Sequence, residues 1–156
     1  MNHFDGIYRV LHVVDGDGFT ANHFISNEVV EFRLYGIDAP EIKKCKKLLR
    51  DEKETHLPGK LLMHLGNLSA SFLRSILPAT TYITIRQEGR KTADMYGRAL
   101  CYAFRQDGLD IGRELITQGY AKPFQEYHCE ALPEYQILNT FAMQNKQGLY
   151  SLVNRF

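Results

Sequence analysis

The chain has 156 residues, 44% of them hydrophobic, which is enough for one domain (residues 1–156, core about 8–150) with a core that needs no disulfide. No stretch approaches the roughly 20 apolar residues of a membrane-spanning helix, and three widely spaced cysteines (Cys45, Cys101, Cys129) without a CxxC pair argue against a zinc knuckle or a disulfide framework. The net charge is +1, but residues 1–41 carry a net −5 and the remainder a net +6; on charge alone this is ordinary solvated surface, although a carboxylate cluster on a basic background also suits a metal site facing a polyanion.

Met1 to Val10 lacks the basic-then-apolar layout of a signal peptide, so the chain is expected to be cytosolic as written, or secreted with a leader removed. Tyr8 to Val14 is apolar and β-branched and stops at the turn sequence Asp15-Gly16-Asp17-Gly18. Phe19 to Phe24 and Val29 to Ile37 read as two more strands. In the second of these, Val30, Phe32 and Leu34 share one face while Glu31, Arg33 and Tyr35 share the other. Pro40 ends the run, because it cannot donate a ladder hydrogen bond. Residues 42–59 are charged and lack hydrophobic periodicity, which predicts an exposed loop. Leu61, Leu65, Leu68, Phe72 and Ile76 then fall on one helical stripe, closed by Pro78. Thr80 to Arg86 and Arg98 to Arg105 are further strands. Asp107-Gly108 turns into a short helix capped near Gly119, and a last helix runs from about Ala131 to Gln147. Five short strands with three helices predict an α+β, β-rich fold: a five-stranded Greek-key barrel of the OB type.

Three segments carry candidate chemistry. Asp15-Gly16-Asp17 is either a plain turn or part of a site for a hard cation, which takes carboxylate and carbonyl oxygens. In Arg33-Leu34-Tyr35-Gly36-Ile37-Asp38-Ala39-Pro40-Glu41, the carboxylates of Asp38 and Glu41 flank a proline-fixed bend, and Ala39 can offer its carbonyl. In Asp94-Met95-Tyr96-Gly97-Arg98, Arg98 is either a solvated strand residue or a phosphate ligand, for which a planar guanidinium suits better than lysine. His128 beside Cys129 is at most half of a metal site.

In order and combination these segments resemble the staphylococcal nuclease (thermonuclease) family. So do Gly112-Arg113-Glu114-Leu115-Ile116, Gly119-Tyr120-Ala121 and the closing Gly148-Leu149-Tyr150. The resemblance runs from about Tyr8 to Tyr150 and implies an OB barrel with three helices. It implies calcium held by the carboxylates of Asp17 and Asp38 and the Ala39 carbonyl, with Arg33 and Arg98 bracketing the scissile phosphate. Glu41 would act on the attacking water, Asp15 would shape the turn or support the metal ligands from behind, and Tyr96 and Tyr127 would border the nucleotide. The reaction implied frees a 5′-hydroxyl and leaves a 3′-phosphate. DNA or RNA is the expected partner, no membrane is involved, and the chain is expected to be a monomer.

This sequence departs from the family pattern at Gly18, usually Thr or Ser, at Met95, often lysine, and in the length of residues 42–59. A side chain at position 18 would steady Asp17, so weaker calcium binding is expected here unless Gly18 takes positive φ or Thr20 supplies the contact. Two other readings stand beside catalysis: an OB module that only binds single strands, and a protein-interaction domain with vestigial motifs.

Overall fold

The computed structural model describes residues 3–156; Met1 and Asn2, where the segment read for a leader begins, lie outside the described residues. Three antiparallel strands come first: β1 (Gly6–Asp15), β2 (Gly18–His23) and β3 (Val29–Leu34). A two-residue strand, β4 (Ile37–Asp38), follows, then helices α1 (Lys46–Thr55) and α2 (Gly59–Ile76). The chain returns through β5 (Tyr82–Arg86) and β6 (Ala99–Arg105), helix α3 (Ile111–Thr117), the short β7 (Lys122–Pro123) and helix α4 (Leu132–Gln144), and ends after a 3-10 turn over Gly148–Ser151.

The barrel closes in the order β1-β2-β3-β6-β5, with β5 returning to β1 and a parallel β3–β6 pair. Closure removes the exposed edges that a five-stranded sheet would otherwise present. Register breaks in β1 between Val10 and His12 and between Val13 and Asp15 mark bulges. They coil the strand enough for it to pair with both β2 and β5. The barrel is filled as the period-two pattern requires: Val10, Phe19, Ala21, Phe32, Leu34, Ile83 and Ile85 point inward and are buried. The Phe19 and Phe32 rings sit 5.6 Å apart, and truncating either to Ala should cost about 3–5 kcal/mol.

The barrel and the strands agree with the sequence; the helices number four among the described residues rather than three. Residues 42–59 are not simply an exposed loop, because α1 occupies most of them. Its N-terminus is capped by Cys45, whose Sγ accepts from Leu48 N–H at 3.4 Å, and Leu48 is buried beside Leu62 and Leu65 of α2. The third strand stops at Leu34 instead of Ile37, since Gly36 takes φ +68 and turns the chain into β4. Tyr35 lies on the face opposite Phe32, as alternation requires, but it is buried there beneath Tyr102, Cys129 and Leu132. The last helix ends at Gln144, short of the Gln147 that the sequence suggests.

Candidate active site

A cleft of about 530 Å³ opens beside the β1–β2 turn and is lined by Asp15, Asp17, Glu31, Arg33, Glu41, Lys47, Tyr96 and Arg98, among others. Its floor depends on close backbone approach. A Cβ on Gly16 would stand 2.6 Å from the Cβ atoms of Ala39 and Ser69, so only glycine lets the turn press onto that bend and onto α2. Gly66 does the same for α2, where a Cβ would meet the carbonyls of Pro40 at 2.5 Å and Glu41 at 2.8 Å. The result joins two distant segments: the Ala39 N–H donates to Asp17 Oδ2 at 3.0 Å.

Asp17 and Asp38 are both nearly buried, at 6% and 5% exposure. Arg33 projects from β3 between them, with Nη2 3.7 Å from Asp17 Oδ2, 3.6 Å from Asp38 Oδ1 and donating to the Ile37 carbonyl at 3.1 Å. Its guanidinium lies 4.8 Å from the Phe124 ring centroid, and its Nε is buried without a hydrogen-bond partner among the described residues. Arg98 is aimed by Asp94: Nε donates to Asp94 Oδ2 at 2.7 Å, while Asp94 Oδ1 accepts the backbone N–H of Tyr96 and of Arg98, both at 2.9 Å. Thus one carboxylate folds the turn and fixes the guanidinium at its end.

The carboxylates feel one another strongly. Burial, and then the neighbouring Asp17 charge, push Asp15 up to about 8. Burial also raises Asp38 to about 6, against the pull of Lys47 and with the push of Asp17. For Asp17 burial works upward too, but Arg33 and the hydrogen bonds from Asp15 and Ala39 outweigh it and hold it below the usual carboxylate range. Such a set favours a bound cation. Asp38 Oδ1 is a buried oxygen that meets cations only, the ion pairs to Lys47 and Arg33, and makes no aligned hydrogen bond among the described residues; the carboxylates beside it offer oxygen, as calcium prefers. The described residues bring no three His, Cys, Asp or Glu side chains together as a metal cluster; the carboxylates of Asp17 and Asp38, both beside Arg33, are the pair the site offers. The residues fit a calcium ion completed by water and substrate oxygens.

Tyr96 stands at the mouth, 76% exposed, with the Arg98 guanidinium 5.8 Å from its ring centroid. Tyr127 is set behind the cleft, where its Oη accepts from Gly36 N–H at 3.2 Å and its ring packs on Phe124 and Tyr35. Asp15 takes the turn-shaping place, accepting from Asp17 N–H through Oδ1 at 3.2 Å. Gly18 does not adopt positive φ. It pairs with Arg33 across β3, and its missing side chain leaves room between Asp15 Oδ1 and Arg98 Nη1. Thr20 points its hydroxyl at His12 (2.9 Å). Cys129 is buried and His128 exposed, and no metal cluster forms around them among the described residues.

The chain matches the model of the staphylococcal nuclease homologue family over residues 31–152. It belongs to that family. Among similar proteins, an "uncharacterized endonuclease" of Escherichia coli is 29% identical over 143 residues, covering 92% of this chain and 76% of that one. "Uncharacterized protein MJ1439" of Methanocaldococcus jannaschii is 29% identical over 154 residues, with 94% and 72% covered. Endonuclease YhcR of Bacillus subtilis is 26% identical over 151 residues, covering 95% of this chain but only 11% of YhcR.

Three residues at the site escape the sequence reading. Phe124 supplies the face on which Arg33 rests, and Asp94 aims Arg98. Lys47 reaches in from α1, with Nζ 3.2 Å from Asp38 Oδ1, 3.4 Å from Glu41 Oε1 and 2.9 Å from Asp51 Oδ2. The Lys47–Asp51 spacing of four is a helical ion-pair signal that could have revealed both α1 and its lysine.

Proposed function

We propose that this protein is a calcium-dependent nuclease that hydrolyses phosphodiester bonds in DNA or RNA. The observation that carries the reading is the meeting of Arg33, Arg98, Glu41 and Asp17 at one open cleft, with Asp38 buried beside Arg33. Relatives that carry the name endonuclease support it.

In this reading Arg33 and Arg98 grip the non-bridging oxygens of the scissile phosphate. Both are held from behind, Arg33 by Ile37 and Phe124 and Arg98 by Asp94, so their donors are pre-aimed at charge that grows in the pentacoordinate transition state. Asp17, Asp38 and the Ala39 carbonyl would hold calcium, which when bound would supply charge neutralisation at a phosphate oxygen and a place for water. Glu41 takes the proton of the attacking water as its oxygen bonds to phosphorus. The P–O5′ bond breaks, the leaving oxygen takes a proton from solvent water to become a 5′-hydroxyl, and a 3′-phosphate remains while Glu41 returns its proton to solvent. Tyr96 offers an exposed ring on which a base can stack.

The test is cleavage of an end-labelled strand with calcium and with excess chelator, followed by analysis of the new ends. Calcium-dependent products with 3′-phosphates are expected. A module that only binds single strands would retain the label uncut under both conditions, and full cleavage in chelator would remove the metal from the account.

A further inference from the structure

We propose that Lys47 is a tethered counter-ion that competes with calcium for Asp38 while also pairing with the neighbouring Glu41, and that Asp51 is the acceptor onto which it withdraws when the metal binds. The inference rests on the calcium reading above and adds to it a device that sets metal affinity.

Lys47 Nζ contacts three carboxylates from three parts of the chain: Asp38 at the end of β4, Glu41 beyond the proline bend, and Asp51 one turn along α1. Two of these belong to the proposed catalytic set. Asp51 does not, yet it is 7% exposed, an unusual place for an acid whose carboxylate pairs, among the described residues, with this lysine alone, the Thr55 hydroxyl donating instead to the Asp51 backbone carbonyl. An ammonium 3.2 Å from Asp38 Oδ1 meets the same oxygen that calcium would bind at about 2.3–2.6 Å. Two cations on one oxygen repel strongly in a site this buried.

The helix backbone cannot retreat cheaply. Leu48, the next residue, is locked into the core with Leu62 and Leu65, and Cys45 caps the helix start. The lysine stem is flexible, however, with four rotatable carbons. Release of Asp38 and Glu41 leaves the ammonium on Asp51, which rides on the same helix four residues away. The cleft is therefore charge-compensated before metal arrives, and calcium must displace that compensation to enter. Residues 42–59, longer than the family pattern requires, provide the helix that carries both partners.

Calorimetric titration of the full chain with calcium alone tests this. Lys47→Met, which keeps the apolar stem and removes the charge, should bind calcium roughly tenfold or more tightly than wild type. Lys47→Arg should stay near wild type, and Asp51→Asn, which removes the place of withdrawal, should bind more weakly. Unchanged or weaker binding by a cooperatively melting Lys47→Met protein overturns the proposal. If that variant does not fold, Asp51→Asn decides, and binding equal to or tighter than wild type overturns it. Should wild type take up no calcium and still cleave DNA in chelator, the calcium reading itself fails and this device falls with it.

Discussion

Asp94 offers a way to disturb catalysis without touching any group that would meet the substrate. Its Oδ1 accepts two backbone N–H groups and its Oδ2 accepts Arg98 Nε at 2.7 Å, with the two side chains 8% and 18% exposed. Asp94→Asn keeps an oxygen for the two amides but sets an NH₂ against Arg98 Nε. What is lost is one charge-assisted hydrogen bond, about 1.5–3 kcal/mol when well buried and nearer 1–2 at this exposure. If Arg98 forfeits that much preorganisation, the rate should drop about 5- to 30-fold. KM should change little, because the charge of Arg98 remains to attract the strand. Asp94→Ala should fall further and also melt earlier, since it frees the two amides of the turn. Single-turnover cleavage and thermal melting of both variants supply the readings. If Asp94→Asn turned over within about threefold of wild type while Arg98→Ala lost about 100-fold or more, Asp94 would not be what aims Arg98.

Arg33→Lys and Arg98→Lys should each lose about 100-fold or more in rate although charge is preserved, because a point charge cannot reproduce the planar fork; near-normal turnover in a folded Arg98→Lys protein would refute a bidentate grip. Glu41→Gln should depress turnover far more than affinity for one oligonucleotide, and equal losses in both would assign Glu41 to binding. In metal-free protein, Asp15 (about 8) and Asp38 (about 6) stand above their unfolded values, so the folded state holds extra protons and its stability should fall as pH rises from about 5 to 8. Asp17 is shifted down, and its stabilising contribution is already complete above the unfolded carboxylate range, so it does not reverse this slope. A melting temperature that climbs over that interval would contradict the assignment. Gly18→Thr should weaken rather than tighten calcium binding: a Cβ there lies 3.1 Å from the Phe32 carbonyl and 3.2 Å from Asp15 Oδ1, which holds the Asp17 amide. The crowding should cost about 1–3 kcal/mol, and tighter binding in an equally stable variant would restore the opposite expectation.

The barrel was legible because its signals are local and repeated. Alternation in Val30, Phe32 and Leu34 and the Asp15-Gly16-Asp17-Gly18 turn mark strands and their ends without reference to the rest of the chain. Helix α1 was not: Leu48 and Leu49 are the only apolar residues among its ten and only Leu48 and Asp51 are buried, so although its apolar side falls at helical spacing the segment is polar enough overall to read as solvated loop. The β4–β7 ladder, Ile37 with Pro123 and Asp38 with Lys122, is too short to leave any pattern. Tyr35 shows the limit of alternation, which gives the face but not what covers it. At the site, Arg33, Glu41 and Arg98 stand out by residue type beside turns, and the fold does bring them to one cleft. Of the groups that steer them, Phe124 meets Arg33 across 91 residues of chain, which no local pattern encodes, while Asp94 and Lys47 act over two to nine residues, where an acid in a turn and a lysine in an i,i+4 pair look like ordinary surface.

The most direct test of the account is hydrolysis of a 5′-labelled single strand by wild type and by Arg33→Ala side by side, each with calcium and with excess chelator. Wild type with calcium should cleave, wild type in chelator should not, and Arg33→Ala should be slower by about 100-fold or more even at saturating calcium. Equal cleavage by wild type and a folded Arg33→Ala protein would place the chemistry outside this cleft.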